Sequence, residues 1–367
     1  MHKAPHGPCL LNFTNFLLLS YSRAYNAKRV KKGQRLHTMK KDQIKIYYTD
    51  KQSLVQDHEG NLSKSPLKPK LLMEFLAKEN LSGYFCLVDD FKPFDREDFY
   101  LAHTERYVNG FFDGIEKIRD SDGFLGIQWS EQFADSVRYT NASLYYAILN
   151  SVHNPQEISF SPTSGFHHAS PEMGGLFCTF SGQVIASVKI YRSLGLSGAY
   201  IDLDGHYGNS IEDSRAFVKD LDRAIPREYG NINIASAHEQ YIKTFKFYLE
   251  VLEDAFIKGK IHYLVFCHGA DSHEEDDLGR QCTTEEWLAC SELFYNFVKI
   301  TEQKMGKPIP LALSLFGGYR EDDYDSVLSL HTADLVTCLN TLCGHSLTYQ
   351  AQVKVNERKR SLSPRHP

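Results

Sequence analysis

The chain has 367 residues, enough for one large α/β domain or two ordinary ones. Apolar residues make up 42% and charged residues 24%, which excludes wholesale disorder. No run of about 18 apolar residues occurs, so no membrane span is expected. The net charge of −5 is unevenly spread: residues 1–42 carry +8 and residues 351–367 carry +4, leaving −17 for residues 43–350. An acidic body favours cationic ligands and argues against stable nucleic-acid binding by that body. Eight cysteines without framework or zinc-knuckle spacing point to reduced thiols.

In chain order, residues 10–21 form a short apolar stretch with its basic residues mostly after it. That order is wrong for a secretory signal and fits an amphipathic surface helix or an unstructured extension. Residues 44–48 read as a strand and residues 66–79 as a helix through Leu71, Leu72, Phe75 and Leu76. Residues 84–88 are strand-like, and residues 142–152 and 183–194 have helical periodicity. Residues 198–203, 231–235, 262–267 and 310–316 are strand runs, with helices expected over 240–257 and 284–304. Continuous apolar strands alternating with helices predict an α/β fold: a single domain whose central, mostly parallel sheet has helices on both faces. The expected division is a basic N-terminal extension (1–42), a folded body (43–350) and an unstructured basic tail (351–367). Residues 356–367 also have the composition of a nuclear-localisation patch.

Ligands of open parallel sheets bind beyond the carboxyl ends of the strands. Four polar clusters stand there: Gly165-Phe166-His167-His168, Asp202 to Asn209, His268 to Asp271, and Gly317-Gly318-Tyr319. Alternation along an extended chain puts Asp202, Asp204 and His206 on one face. Buried carboxylates need a cation or hydrogen-bond donors. Asp204, His206 and Asp271 make a three-ligand set with an open position, suited to Zn²⁺ or Fe²⁺. The plainer alternative is a helix-capping Asp with a satisfied core histidine. The His167-His168 pair fits general acid–base work beside such a metal, with Asp202 and Asn209 available to orient it, or else an ordinary Gly/Ser loop. Tyr319 after two glycines fits an oxyanion donor, or a turn with a half-buried tyrosine.

Taken together and in order, HHA, YIDLDGHYGN, GAD with DDLG, and GGY resemble the zinc-dependent histone deacetylase family, with its bacterial amidohydrolase and acetoin-utilisation relatives. The resemblance runs over residues 44–340 and includes the HTxxY segment at residues 103–107. It implies an arginase/deacetylase-like fold and hydrolysis of the acetyl amide of acetyl-lysine in histone or other protein tails. Asp204, His206 and Asp271 would hold Zn²⁺, with Fe²⁺ as the other candidate. His168 would be the general base toward a metal-activated water and then the acid toward the leaving amine. His167 would be its electrostatic partner. Asp202 would orient His167, Asn209 would orient His168, and Tyr319 would stabilise the oxyanion. Gly165, Phe166, Phe177, Leu278 and Gly318 would border the substrate channel. Leu278, where the polyamine-deacetylase branch carries Glu, favours acetyl-lysine.

The chain also departs from the family pattern. Tyr207 follows the ligand histidine where a second histidine is common. The glycine-rich GxGD segment is replaced around residues 223–234, which leaves a K⁺ site open. Trp129 stands near the position of the substrate-clamping Asp, and Lys70 replaces an Arg. The alternatives are a deacylase of small acetylated amines and a non-catalytic acyl-lysine-binding scaffold. A binuclear ureohydrolase is disfavoured because Tyr207 and Gly208 follow His206. The expected compartment is cytoplasm or nucleus, with delivery to another cell's nucleus left open. Oligomeric state has no signature in the sequence.

Overall fold

Seven short strands pair side by side, every neighbour parallel, in the order β2-β1-β3-β7-β6-β4-β5. They are β1 (Ile44–Tyr47), β2 (Phe85–Val88), β3 (Ile158–Ser161), β4 (Gly198–Asp202), β5 (Asn231–Asn233), β6 (Tyr263–Cys267) and β7 (Leu311–Ser314). The six longer helices used below are α1 (Lys68–Lys78), α2 (Glu131–His153), α3 (Gly182–Leu194), α4 (His238–Ile257), α5 (Thr284–Met305) and α6 (Tyr324–Leu342). The computed structural model describes residues 41–54, 64–115 and 129–357, all within one compact unit. Among the described residues no helix is long and apolar enough to cross a membrane, and no disulfide forms.

Every residue of β3, β4, β6 and β7 is buried, which is why β4, β6 and β7 read as unbroken strand runs. Side chains alternate between two cores. Ile201, Leu264, Phe266, Leu311 and Leu313 pack with α1, α4, α5 and α6. Tyr200, Tyr263, Val265 and Ala312 pack with α2 and α3 on the other face. The expected sheet with helices on both faces is therefore present, and it is wholly parallel.

The differences from the sequence expectations are local. Helix α2 starts well before residue 142, because Ser130 caps it by accepting the Phe133 N–H at 3.1 Å. Strand β3 and helix α6 escape the reading. β3 alternates Ser159 and Ser161 with apolar residues, and both serines are buried in hydrogen bonds with Asn150 and Ser143. α6 is buried around most of its circumference and so lacks a polar stripe.

Both expected domain boundaries fall inside packed chain. Lys41, assigned to the extension, is buried, with its ammonium 2.7 Å from Glu302 Oε1 and donating to the carbonyls of Pro155 and Ile309. Residues 351–357, assigned to the tail, lie along α6, and Asn356 is fully buried. The rest of both terminal segments, residues 1–40 and 358–367, lies outside the described residues.

His103 of the HTxxY segment is also a core residue. Its Nδ1 lies 2.9 Å from the Ser170 carbonyl, and its Nε2 accepts the Ser181 N–H at 2.9 Å. Burial lowers its pKa to about 3.

Two predictions follow from these buried groups. Glu302→Ala leaves the Lys41 ammonium buried without its carboxylate and should cost about 3–5 kcal/mol, read from urea denaturation. The folded protein holds His103 neutral down to about pH 3, against 6.5 for an ordinary histidine. The unfolded chain therefore takes up the extra proton. Stability from this site is full above pH 6.5 and declines as pH falls from there towards 3. The urea midpoint should accordingly be lower at mildly acidic pH than at neutral pH, with the gap reduced in His103→Asn.

Candidate active site

The polar clusters leave the same ends of four adjacent central strands. The loop after β3 carries His167 and His168, β4 ends in Asp202 and leads to Asp204, His206 and Asn209, β6 leads to Asp271, and β7 leads to Tyr319. The local chain conformation follows from side-chain bonds. Asp204 Oδ1 accepts the His206 N–H at 2.9 Å, which turns the chain sharply after β4. Gly317 is required where the loops cross, since a Cβ there would lie 2.3 Å from Asp271 Cγ. Gly165 takes φ +89°, and a Cβ on it would lie 2.8 Å from the Phe177 carbonyl.

The two histidines have different partners. His167 Nδ1 lies 2.9 Å from Asp202 Oδ2, and its Nε2 lies 3.7 Å from Asp204 Oδ1. His168 Nδ1 lies 2.8 Å from the amide oxygen of Asn209. Burial alone would lower the His167 pKa, but the Asp204 and Asp202 carboxylates push it up to about 9. Burial, together with the neighbouring His167 charge, lowers His168 to about 4. The rings are 4.1 Å apart, centroid to centroid.

Ligand atoms of Asp204, His206 and Asp271 all lie within 4.8 Å of one another. His206 Nδ1 is 2.8 Å from Asp271 Oδ2 and 3.2 Å from Asp204 Oδ1. The aspartates are almost wholly buried. Burial and the Asp204 charge push Asp271 up to about 8, and hydrogen bonds to both carboxylates push His206 up to about 10. Two buried carboxylates converging on one imidazole are short of positive charge, and the donor set suits a divalent cation.

Beside the triad is a narrow cavity, with room for about 10 Å³, bordered by Gly165, His167, Phe177, Asp204, Gly317 and Tyr319. The Tyr319 ring leans on Phe177 at 5.6 Å and faces His206 at 6.2 Å. Phe177 and Phe316 both have left-handed backbones, φ +65° and +60°, and such strain at a pocket wall marks a constrained site.

Three residues expected at the channel are elsewhere. Phe166 is buried against Phe316 and lines a neighbouring cavity of about 70 Å³. Leu278 is 51% exposed, away from the pocket wall. Gly318, at φ +144°, packs behind the pocket near Val327. Trp129 donates to the Phe111 carbonyl at 2.6 Å, and Lys70 faces Glu74 on the surface of α1.

The inward lysine is Lys68, at the start of α1. It is fully buried, donates to the Phe316 carbonyl and lies 5.7 Å from the centre of the Tyr319 ring. Burial lowers it to about 8, against the pull of Asp271, Asp204 and Asp276. Neither Lys68 nor Asp276 stands out in the sequence, although Asp276 Oδ2 accepts the Tyr319 N–H at 2.6 Å. The only signals were a Lys-Pro at a helix start and a run of acids after Asp271.

Two solved structures share this architecture. The HDA15 HD domain superposes with a TM-score of 0.61 at 14% identity, over 85% of this chain and 90% of that one. An HDAC homolog from Aquifex aeolicus does so at 0.59 and 18% identity, over 85% and 87%. The fold is therefore that of the deacetylases. The histone deacetylase domain model matches residues 63–248, half of the chain, and the protein belongs to that family. Histone deacetylase 10, chloroplastic, of Oryza sativa subsp. japonica is 27% identical over 160 residues, 40% of this chain and 35% of that protein. Histone deacetylase 2 of Arabidopsis thaliana is 25% identical over 194 residues, 47% and 48%. The chain thus matches less than half the length of these curated relatives.

The site makes a direct prediction about metal. The purified protein should bind divalent zinc at one tight site, and Asp204→Asn should weaken it by an order of magnitude or more, measured by competition with a chromophoric chelator.

Proposed function

We propose that the protein hydrolyses the acetyl amide of acetyl-lysine in histone or other protein tails. The observation that carries this reading is the unequal pairing of the two histidines, one held by a carboxylate and the other by an amide. Asp204, His206 and Asp271 would hold Zn²⁺ or Fe²⁺. When bound, that ion supplies Lewis acidity to a water and to the substrate carbonyl.

The chain's own residues do the rest. With its Nδ1 proton directed at Asn209, His168 offers the Nε2 lone pair to take the proton of the attacking water. The same nitrogen then protonates the leaving amine. His167 stays protonated beside Asp202 and serves as a fixed positive charge. Burial and the nearby aspartates keep the Tyr319 hydroxyl protonated, so it donates to the oxygen as negative charge develops there. Phe177 and the Tyr319 ring offer apolar walls for a lysine stem. The acidic body favours a lysine-rich tail. The basic ends would serve nuclear import.

The test is acetate release from an acetylated histone H3 or H4 tail peptide, with and without a zinc chelator. Chelator-sensitive release is expected. Its absence from a zinc-loaded, folded sample that cleaves acetyl-polyamines would overturn the protein-tail substrate. Tyr319→Phe should lower kcat by about 10²–10³ with zinc content unchanged, and an unchanged kcat would remove the oxyanion role.

A further inference from the structure

We propose that residues 347–357, which follow α6, form a strap that holds the Tyr319 loop in position, and that Asn356 is the positioning residue through which the strap acts. The catalytic part of this inference rests on the function proposed above; the mechanical part does not.

The strap begins where Asn340 brackets Leu347, accepting its N–H at 2.8 Å and donating to its carbonyl at 2.9 Å. The chain then runs back along α6. Gln352 N–H donates to Ser329 Oγ at 2.8 Å, and Lys354 N–H donates to Ser326 Oγ at 3.0 Å. Ser326 and Ser329 are three residues apart and so share one face of the helix. They take alternate N–H groups of an extended segment, which fixes its register.

The far end of the strap grips the two loops that form the site. Arg320, buried next to Tyr319, donates Nη1 to the Lys354 carbonyl at 2.9 Å while its other nitrogens clasp Asp322. The Asn356 N–H donates to Glu275 Oε2 at 2.7 Å. Its amide Nδ2 donates to the Glu275 carbonyl at 3.1 Å and to Asp277 Oδ1 at 2.6 Å. Asp277 Oδ2 accepts the Glu321 N–H at 3.0 Å, and Asp277 N–H donates to the Tyr319 carbonyl at 3.1 Å. Asp276 accepts the Tyr319 N–H. Both sides of the Tyr319 backbone are thus tied to residues 276 and 277, and Asn356 closes that pair from outside. Four consecutive acids, Glu274, Glu275, Asp276 and Asp277, repel one another. The backbone and side-chain amide donors of Asn356 meet Glu275 and Asp277 and offset the repulsion. A neutral amide with no exposed surface, donating to two acceptors of one loop, is a built contact.

A residue that aims Tyr319 without touching substrate should affect charge stabilisation in the transition state more than binding. The full-length chain is tested as Asn356→Ala, with exposed Gln350→Ala in the same segment as control. Two readouts are taken: kcat and KM on an acetyl-lysine peptide, and amide hydrogen exchange of peptides covering residues 315–323. Asn356→Ala should lower kcat about tenfold, less than loss of the hydroxyl itself, with KM within about twofold. Exchange of the Tyr319 loop should quicken. Asn356→Asp adds a further negative charge to the four acids and should do at least as much. Gln350→Ala should do neither. If Asn356→Ala fails to fold, Ser326→Ala loosens the strap one step upstream and should give the same pattern more weakly. Unchanged loop exchange overturns the strap. Faster exchange with unchanged kcat overturns its link to catalysis. If the wild-type protein cleaves no acetyl-lysine peptide, the functional reading fails, and the exchange experiment still decides the strap.

Discussion

Three carboxylates almost out of water, Asp202, Asp204 and Asp271, stand together at the ends of neighbouring strands, and each oxygen must be met by a donor or a cation. The surrounding chain is arranged to do this. Asp202 accepts the Asp204 N–H and faces His167. Asp204 accepts the His206 and Gly317 N–H groups. Asp271 accepts the Gly205 N–H and faces His206. Loops from four strands are therefore bound to one another through these acids. The need for further positive charge draws Lys68 into the core and leaves the triad suited to a divalent cation.

The same requirement explains why the strand ends were readable. A buried apolar run leaves an Asp or His at its end in need of a partner, so alternation put Asp202, Asp204 and His206 on one face with Asp271 as a candidate companion, and the family resemblance favoured a ligand set over a helix-capping Asp. The family resemblance added the roles of His168 and Tyr319, and the His168–Asn209 contact has the partners it implied. The parallel sheet was legible for a related reason: strands covered on both faces have unbroken apolar sequences.

What was not legible depends on neighbours distant in sequence. Lys68 looks like any basic residue at a helix start until its contact with Phe316, far along the chain, is known. Phe166 and Phe177 are equivalent as sequence. Only the turn joining Gly175 to Cys178, with the left-handed backbone at Phe177, turns one ring to the pocket and leaves the other in the core. The composition of residues 351–367 reads as an unstructured tail, because a basic, polar stretch gives no sign that its Asn will be buried. Helix α6 was hidden by its apolar richness, since a helix covered nearly all round has no periodicity to detect.

Strand β7 is last in sequence, yet it sits in the middle of the sheet, between β3 and β6. Until it is in place, the chain holds two separate half-sheets, β2-β1-β3 and β6-β4-β5, each with an unpaired inner edge. On the ribosome, neither half can close on the other before residue 314 has left the exit tunnel. From the completion of β6 at Cys267 until β7 emerges, the nascent protein therefore carries two complementary sticky edges. The strand that joins them is followed at once by Tyr319, so the joining of the two half-sheets and the completion of the candidate site are one event.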